Sequence, residues 1–283
     1  MIGAAVLVAA VTGAFGGGQD AAPAKLRADR FDAARAWEDL KMQVELGPRP
    51  AGSEASQKLA ETIKERLPRG RFEPVAGGLR NVVGRLPGKG RRHVVLAAHY
   101  DTKDIPGFVG ANDGASGTAV LLELARVLSK TDRPASAPKV RFVFFDGEES
   151  PDDDADFYST GLRGSRSYAR KHRGDVKAVV LLDFVGDKDL ELPREDGSSL
   201  RLWERLRAAA KQVGAGAAFP DETRGEILDD HTPFVRRGVK AIDLIDFDFA
   251  CWHETCDDLD VVSRRSLDRV GESVLRLVLD WNR

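Results

Sequence analysis

An α/β fold, with helices packed on a largely buried sheet, is the architecture this sequence predicts. Three observations carry it. Helix-period and strand-like segments alternate from about Ala34 onward, two strand-like runs are apolar enough to be buried on both faces, and no linker-like composition shift follows the N-terminal segment. With 283 residues and 42% hydrophobic content the chain can bury one large core, so a single domain is expected over residues 29–283.

The elements follow in order. "SEASQKLAETIKERL" starts at the capping residue Ser53, runs as an amphipathic helix and stops at Pro68 and Gly70. "LRNVVGRLPG" and "RRHVVLAAH" are successive strands, with Pro87, Gly88 and Gly90 turning between them. "SGTAVLLELARVLSK" has helical apolar spacing and begins just after Asp113. "KVRFVFFDGEE" and "VKAVVLLDFVG" are the strands buried on both faces. "LRLWERLRAAAKQVG" is a helix, "GVKAIDLIDF" a last strand, and "SRRSLDRVGESVLRLVLDW" a closing helix with Leu267, Val270, Val274, Leu277 and Trp281 on one stripe.

The apolar start, "MIGAAVLVAAVTGAFGGGQDAAPA", is too short and too interrupted by glycine for a membrane span; residues 1–28 read as a secretory-signal-like segment and flexible spacer. A secreted or periplasmic location is the expectation, with no integral membrane span in the mature chain. Cys251 and Cys256 are the only cysteines. They either form a disulfide that stiffens the loop around His253 or are two buried thiols. Lys and Arg total 43 against 45 Asp and Glu, and the basic residues are scattered along the sequence, which argues against nucleic acid as a partner.

Polar residues of one chemical kind recur where strands stop. His99 and Asp101 follow one strand, Glu148 and Glu149 the next, Asp183 a third, and in open α/β sheets the carboxyl ends of strands form the ligand crevice. His99 and Asp101 are two apart in extended chain and face the same way, so Asp101 can accept a hydrogen bond from one ring nitrogen while the other binds a metal. Asp113, in "GANDGASG", can bridge two cations or cap the helix that follows. Two adjacent glutamates after a buried strand are costly unless a positive charge lies beside them; with zinc present, one can be a ligand and the other a general base or acid. His253 returns to the same edge after an apolar strand, with Trp252 as an aromatic wall. Counting His99, Asp113, Glu149, Asp183 and His253, there are donors for one zinc, or for two if Asp113 bridges. His93 and His172 read as solvated, Trp37 and Trp203 as core, and Asp152 to Asp156 as a solvated acidic loop.

As a set, "HYD", "GANDGASG", "FFDGEE", "LLDFVG", "LDDHTPF" and "WHETCDD" resemble the M28 zinc peptidase superfamily, which includes aminopeptidases and animal-type glutaminyl-peptide cyclotransferases; the similarity runs from about residue 45 to the C-terminus. The resemblance implies an αβα sandwich around a mixed, mostly parallel sheet. For the aminopeptidase branch it implies two zinc ions, one on His99, Asp113 and Asp183 and one on Asp113, Glu149 and His253, with Glu148 as base. For the cyclase branch it implies one zinc on Asp113, Glu149 and His253, with Glu148 shuttling a proton and Asp183 and Asp229 steering it. Either branch takes peptide or protein N-termini as substrates. Asp229 and Trp252 match the cyclase pattern, as do the long loop before "GLRGSR" and "PFVRRGV"; "NDGASG" is closer to the aminopeptidase style, and the long loop lacks the tryptophan that cyclases carry there. Asp230 and His231 are candidates for substrate contact, His231 alternatively for a supporting position. Cyclisation of N-terminal glutamine is the leading expectation, hydrolysis of the first peptide bond the second, and a non-catalytic zinc-binding ectodomain the third.

Overall fold

Six strands form the central sheet: β1 (Arg71–Pro74), β2 (Arg80–Leu86), β3 (Lys89–His99), β4 (Pro138–Phe145), β5 (Val176–Leu182) and, after the short pair β6 (Arg194–Glu195) and β7 (Thr223–Arg224), β8 (Lys240–Leu244). This computed structural model describes residues 30–152 and 154–282, so the signal-like segment expected over 1–28 lies outside the described residues. The spatial order is β1-β2-β4-β3-β5-β8. β4, β3, β5 and β8 run parallel, while β2 is antiparallel to both β1 and β4. The mixed, mostly parallel sheet is therefore as expected.

Strand alternation sorts side chains into two cores. Val94, Leu96 and Ala98 of β3 join Val140, Phe142 and Phe144 of β4 on one face. That face is covered by α1 (Ala33–Glu45), α2 (Glu54–Arg66), α3 (Ala115–Lys130), α6 (Leu200–Gln212) and α8 (Arg264–Leu279). Val95, Ala97, Val143 and Phe145 point the other way and meet Tyr168 and Phe234. Those two residues belong to α5 (Arg163–Lys171) and α7 (Thr232–Val235), which follow the one-turn helix α4 (Phe157–Thr160). The layers are thus helix, sheet, helix.

Ser53 caps α2 as expected, accepting from the Ser56 amide at 3.1 Å. Strand β1 and helix α5 escape a reading by periodicity. α5 is the sequence RGSRSYARK, whose buried side is only Gly164, Ser165, Tyr168 and Ala169, so its apolar stripe is too thin to stand out. One close approach matters for the site. A Cβ at Gly117 would lie 2.1 Å from the Leu182 carbonyl oxygen, so only glycine lets α3 sit directly on the end of β5.

The solvated reading of His172 is corrected by the fold. His172 is buried, its Nε2 2.8 Å from Glu73 Oε2 and its Nδ1 3.1 Å from the Arg141 guanidinium. Lys171 Nζ reaches the same Glu73 oxygen at 3.1 Å, and Arg71 reaches its Oε1. Burial alone would raise the Glu73 pKa; hydrogen bonds and charge from His172, Lys171 and Arg71 outweigh it and hold the carboxyl at about 2. Glu73→Gln should therefore destabilise the protein by about 2–3 kcal/mol at neutral pH. The folded value lies below the ordinary 4.5, so this contribution is complete above pH 4.5 and fades as pH falls toward 2. Urea unfolding of both proteins across that range checks it: the gap must close on acidification.

Candidate metal centre

The parallel strands deliver their polar residues to one edge. β3 ends at His99, which is fully buried, and Thr118 of α3 donates its hydroxyl hydrogen to the His99 carbonyl at 2.7 Å. Asp183 follows β5, with its Oδ1 3.2 Å from His99 Nε2. Asp113 precedes α3, with its Oδ1 3.3 Å from the same nitrogen. Gly114 makes that placement possible: its φ is +83°, and a Cβ there would meet the Asp101 carbonyl at 2.8 Å.

The other Asp113 oxygen belongs to a second group. Oδ2 lies 3.6 Å from His253 Nε2, which in turn is 3.5 Å from Glu149 Oε1. Asp113 thus faces both groups, one oxygen to each. His99, Asp113 and Asp183 form one set of ligand-type atoms and Asp113, Glu149 and His253 the other, each within 4.8 Å of one another. Asp113 Oδ2 is buried with no hydrogen-bond partner, a costly state for a carboxylate unless a cation completes it. The donor set, imidazole nitrogen with carboxylate oxygen in threes, is the set zinc takes with a position left open. The residues present fit the metal.

Asp101 holds the two glutamates in a way the sequence does not announce. Its Oδ1 is 3.8 Å from His99 Nδ1, too far for the hydrogen bond expected between them. Instead its carboxylate accepts from the backbone amides of Gly147 at 3.0 Å, Glu148 at 3.1 Å and Glu149 at 3.2 Å. It therefore fixes the turn after β4, and through it both acidic side chains. Lys103, also buried, brings Nζ to 3.8 Å from Glu149 Oε2 and donates to the Ser150 carbonyl at 3.0 Å.

Asp257 does the equivalent for Asp113. Its two oxygens accept from the amides of Asn112 at 2.7 Å and Asp113 at 3.0 Å. Burial raises the Asp257 pKa to about 6 against the pull of these amides and of buried Arg49, which donates to the carbonyls of Gln43 at 2.9 Å and Gly47 at 2.8 Å. Neither Asp257 nor Arg49 carries a spacing signal, although "CDD" lies beside the histidine motif.

His253 adopts a φ of +54°, in the loop closed by a disulfide between Cys251 and Cys256. Trp252 stacks on its ring with centroids 4.4 Å apart, and Phe108 meets it edge-on at 6.2 Å. Of the two cysteine readings, the disulfide is the one the fold adopts.

Electrostatically the centre carries excess negative charge. Burial opposes ionisation of His99, yet Asp183, Asp101 and Asp113 overcome it and hold the imidazole well above its ordinary pKa. Burial and the Glu149 charge push the carboxyls of Asp113 and Glu148 well upward, and burial with Asp183 raises Asp229 to about 6. All this is the signature of carboxylates crowded without enough positive charge.

A cleft of about 560 Å³ opens over this edge, lined at its floor by Asp113, Glu148, Glu149, Asp183, Asp229 and His253. Its mouth is both apolar and acidic, with Phe247 and Trp252 about half exposed and Asp152 and Glu226 at the rim. Glu148 belongs to neither ligand set and faces the open space. Asp230 and His231 are not brought there. Both are buried behind the cleft, with His231 between Glu195 at 3.2 Å and Asp243 at 3.4 Å, so the substrate contacts expected of them are corrected to interior positions. His231 also belongs, with Asp229 and Asp243, to a third group of ligand-type atoms.

A three-layer α/β fold with an open cleft over paired imidazole–carboxylate sets is the arrangement of a metal-dependent enzyme. The sequence profile of Peptidase family M28 matches residues 81–278, and the chain belongs to that family. A glutaminyl-peptide cyclotransferase of Drosophila melanogaster is 30% identical over 240 residues, covering 74% of this chain and 67% of that protein. The chain spans about two thirds of the length of the curated relatives it matches. Among solved structures, a glutaminyl cyclase from an Acidobacteriales bacterium is similar at a TM-score of 0.78 and 32% identity, covering 91% of this chain and 97% of that one. A leucine aminopeptidase precursor from Bacteroides thetaiotaomicron is similar at a TM-score of 0.81 and 26% identity, covering 91% and 99%.

Because Asp257 accepts from two amides with two oxygens, Asp257→Asn leaves one amide without an acceptor and loosens Asp113. Zinc affinity should fall about 10–100-fold while the fold is retained. Competition with a chromogenic chelator, alongside circular dichroism, measures both.

Proposed function

We propose that the chain is a zinc-dependent glutaminyl-peptide cyclotransferase, converting N-terminal glutamine to pyroglutamate with release of ammonia. The observation that carries this reading is the placement of Glu148 and Asp229 on the floor of one cleft, both outside the two ligand sets that share Asp113 and close enough for the Asp229 charge to act on Glu148. The similarity to proteins named as cyclotransferases supports it.

Asp113, Glu149 and His253 would hold the zinc, which supplies Lewis-acid polarisation of the side-chain amide oxygen when bound. The residues do the rest. Trp252 and Phe247 form an apolar wall that orients the N-terminal residue and excludes water. The free α-amine attacks the side-chain amide carbon, the ring C–N bond forms, and the bond to the departing amide nitrogen breaks. Glu148 takes a proton from the attacking amine and returns it to that nitrogen, which leaves as ammonia. Asp183 and Asp229, lining the same floor, steer that proton transfer.

Aminopeptidase hydrolysis is the second reading, supported by the similarity to a leucine aminopeptidase precursor; the group of His99, Asp113 and Asp183, which would hold a second zinc, is compatible with either reading. Glu148 would then activate water instead of the amine. The Cys251–Cys256 disulfide supports an oxidising, extracytoplasmic setting, and no helix among the described residues is long and apolar enough to cross a membrane.

Incubation with synthetic peptides followed by mass spectrometry distinguishes the readings. Loss of ammonia only from peptides beginning with glutamine is expected; stepwise removal of whole residues would replace cyclisation with aminopeptidase action. Glu148→Gln should reduce turnover at least 100-fold with zinc content unchanged, and loss of zinc instead would exchange the roles of the two glutamates.

A further inference from the structure

The opposite edge of the sheet carries a second concavity, of about 570 Å³, with contrasting chemistry. It is lined by five arginines and two lysines and by no carboxylate. The residues come from separate segments: Arg92 near the start of β3, Arg173 before β5, Lys177 within β5, Arg201 and Arg205 one turn apart on α6, and Lys240 opening β8. Arg237, in the turn between α7 and β8, completes the set. In a chain of net charge −2 this is a marked concentration. Basic residues that are scattered in sequence are gathered here by the fold.

Most of these charges lack a counter-charge. Among the described residues, no carboxylate lies within ion-pair distance of Arg92, Arg173, Lys177, Arg201 or Lys240. Arg205 donates to the backbone carbonyls of Asp280 and Trp281, at 3.2 and 2.7 Å, and the nearby Asp280 carboxylate is bonded to Arg276. Burial and the charge of Arg201 lower the Arg205 pKa against the pull of the Asp280 carboxylate. Trp281 forms a floor, with Arg205 4.9 Å and Lys177 5.9 Å from its ring centroid. The first turn of α6 also faces this space, and its Ser199 cap makes no side-chain hydrogen bond to the helix amides.

We propose that this basin is a binding site for a compact oligophosphate, a small molecule bearing two or more adjacent phosphate groups. Guanidinium forks pair bidentately with phosphate oxygens, and several of them converging on one volume suit charge packed into a small ligand. The volume is that of a small-molecule site. A nucleic-acid duplex would need a longer basic track than this concavity offers.

Inorganic tripolyphosphate is the probe, followed by intrinsic tryptophan fluorescence and calorimetry on the full chain. Chelation at the distant metal centre is common to wild type and basin variants, so their difference reports the basin. Arg173→Ser combined with Arg201→Ser, both exposed and unpaired, should weaken saturable binding at least 10-fold and leave peptide turnover unchanged. Raised salt should weaken wild-type binding. Equal affinity in both proteins, absence of saturable binding at millimolar probe, or orthophosphate binding as tightly as tripolyphosphate would each overturn the proposal. So would capture by phosphatidylserine vesicles without a tripolyphosphate response, which would assign the basin to a membrane surface.

Discussion

The site depends on the shared position of Asp113. One carboxylate must lie between two imidazoles that arrive from distant parts of the chain, in surroundings where its charge is poorly solvated. The fold meets this by fixing backbone instead of side chain: Asp257 accepts from the amides of Asn112 and Asp113, Gly114 turns the chain, and Gly117 lets α3 press against the end of β5. A carboxylate anchored through its own backbone can turn one oxygen toward each imidazole group.

The same device recurs one strand away. Asp101 gives up its expected bond to His99 and spends its oxygens on three consecutive amides of the turn after β4. Glu148 and Glu149 are thereby presented side by side at the cleft, Glu149 within a ligand-type group and Glu148 outside both groups. Two buried acids, Asp257 and Asp101, each tied to backbone amides, frame the candidate metal centre. The chemistry is carried by strand ends, and its geometry by the loops' amides.

Much of this is legible in the sequence because the signals are local. Buried runs such as "KVRFVFF" announce strands, and the polar residue just beyond each one announces an edge. His99, Asp113, Glu149, Asp183 and His253 could be grouped on that basis. What is not legible depends on distance in the chain: the charge of Arg49 acts on Asp257 across the fold, and Lys103 nears Glu149 only after β3 and β4 pair. The partners of Asp101 are amides, which have no sequence signature. Helix α5 hides behind its own arginines, and the interior places of Asp230 and His231 reflect packing of α7 that four residues cannot advertise. The basic basin is the extreme case, since its members are up to about 150 positions apart and only the sheet brings them together.

The acidic cleft mouth and the basic basin stand at opposite ends of the parallel strands, so two concavities of opposite charge lie apart on a chain that is nearly neutral as a whole. Local fields of opposite sign attract a cation to the cleft mouth and an anion to the basin. Near a charged wall the protein would be turned as well as attracted, presenting one end and hiding the other. Orientation is therefore written into where the strands begin and end.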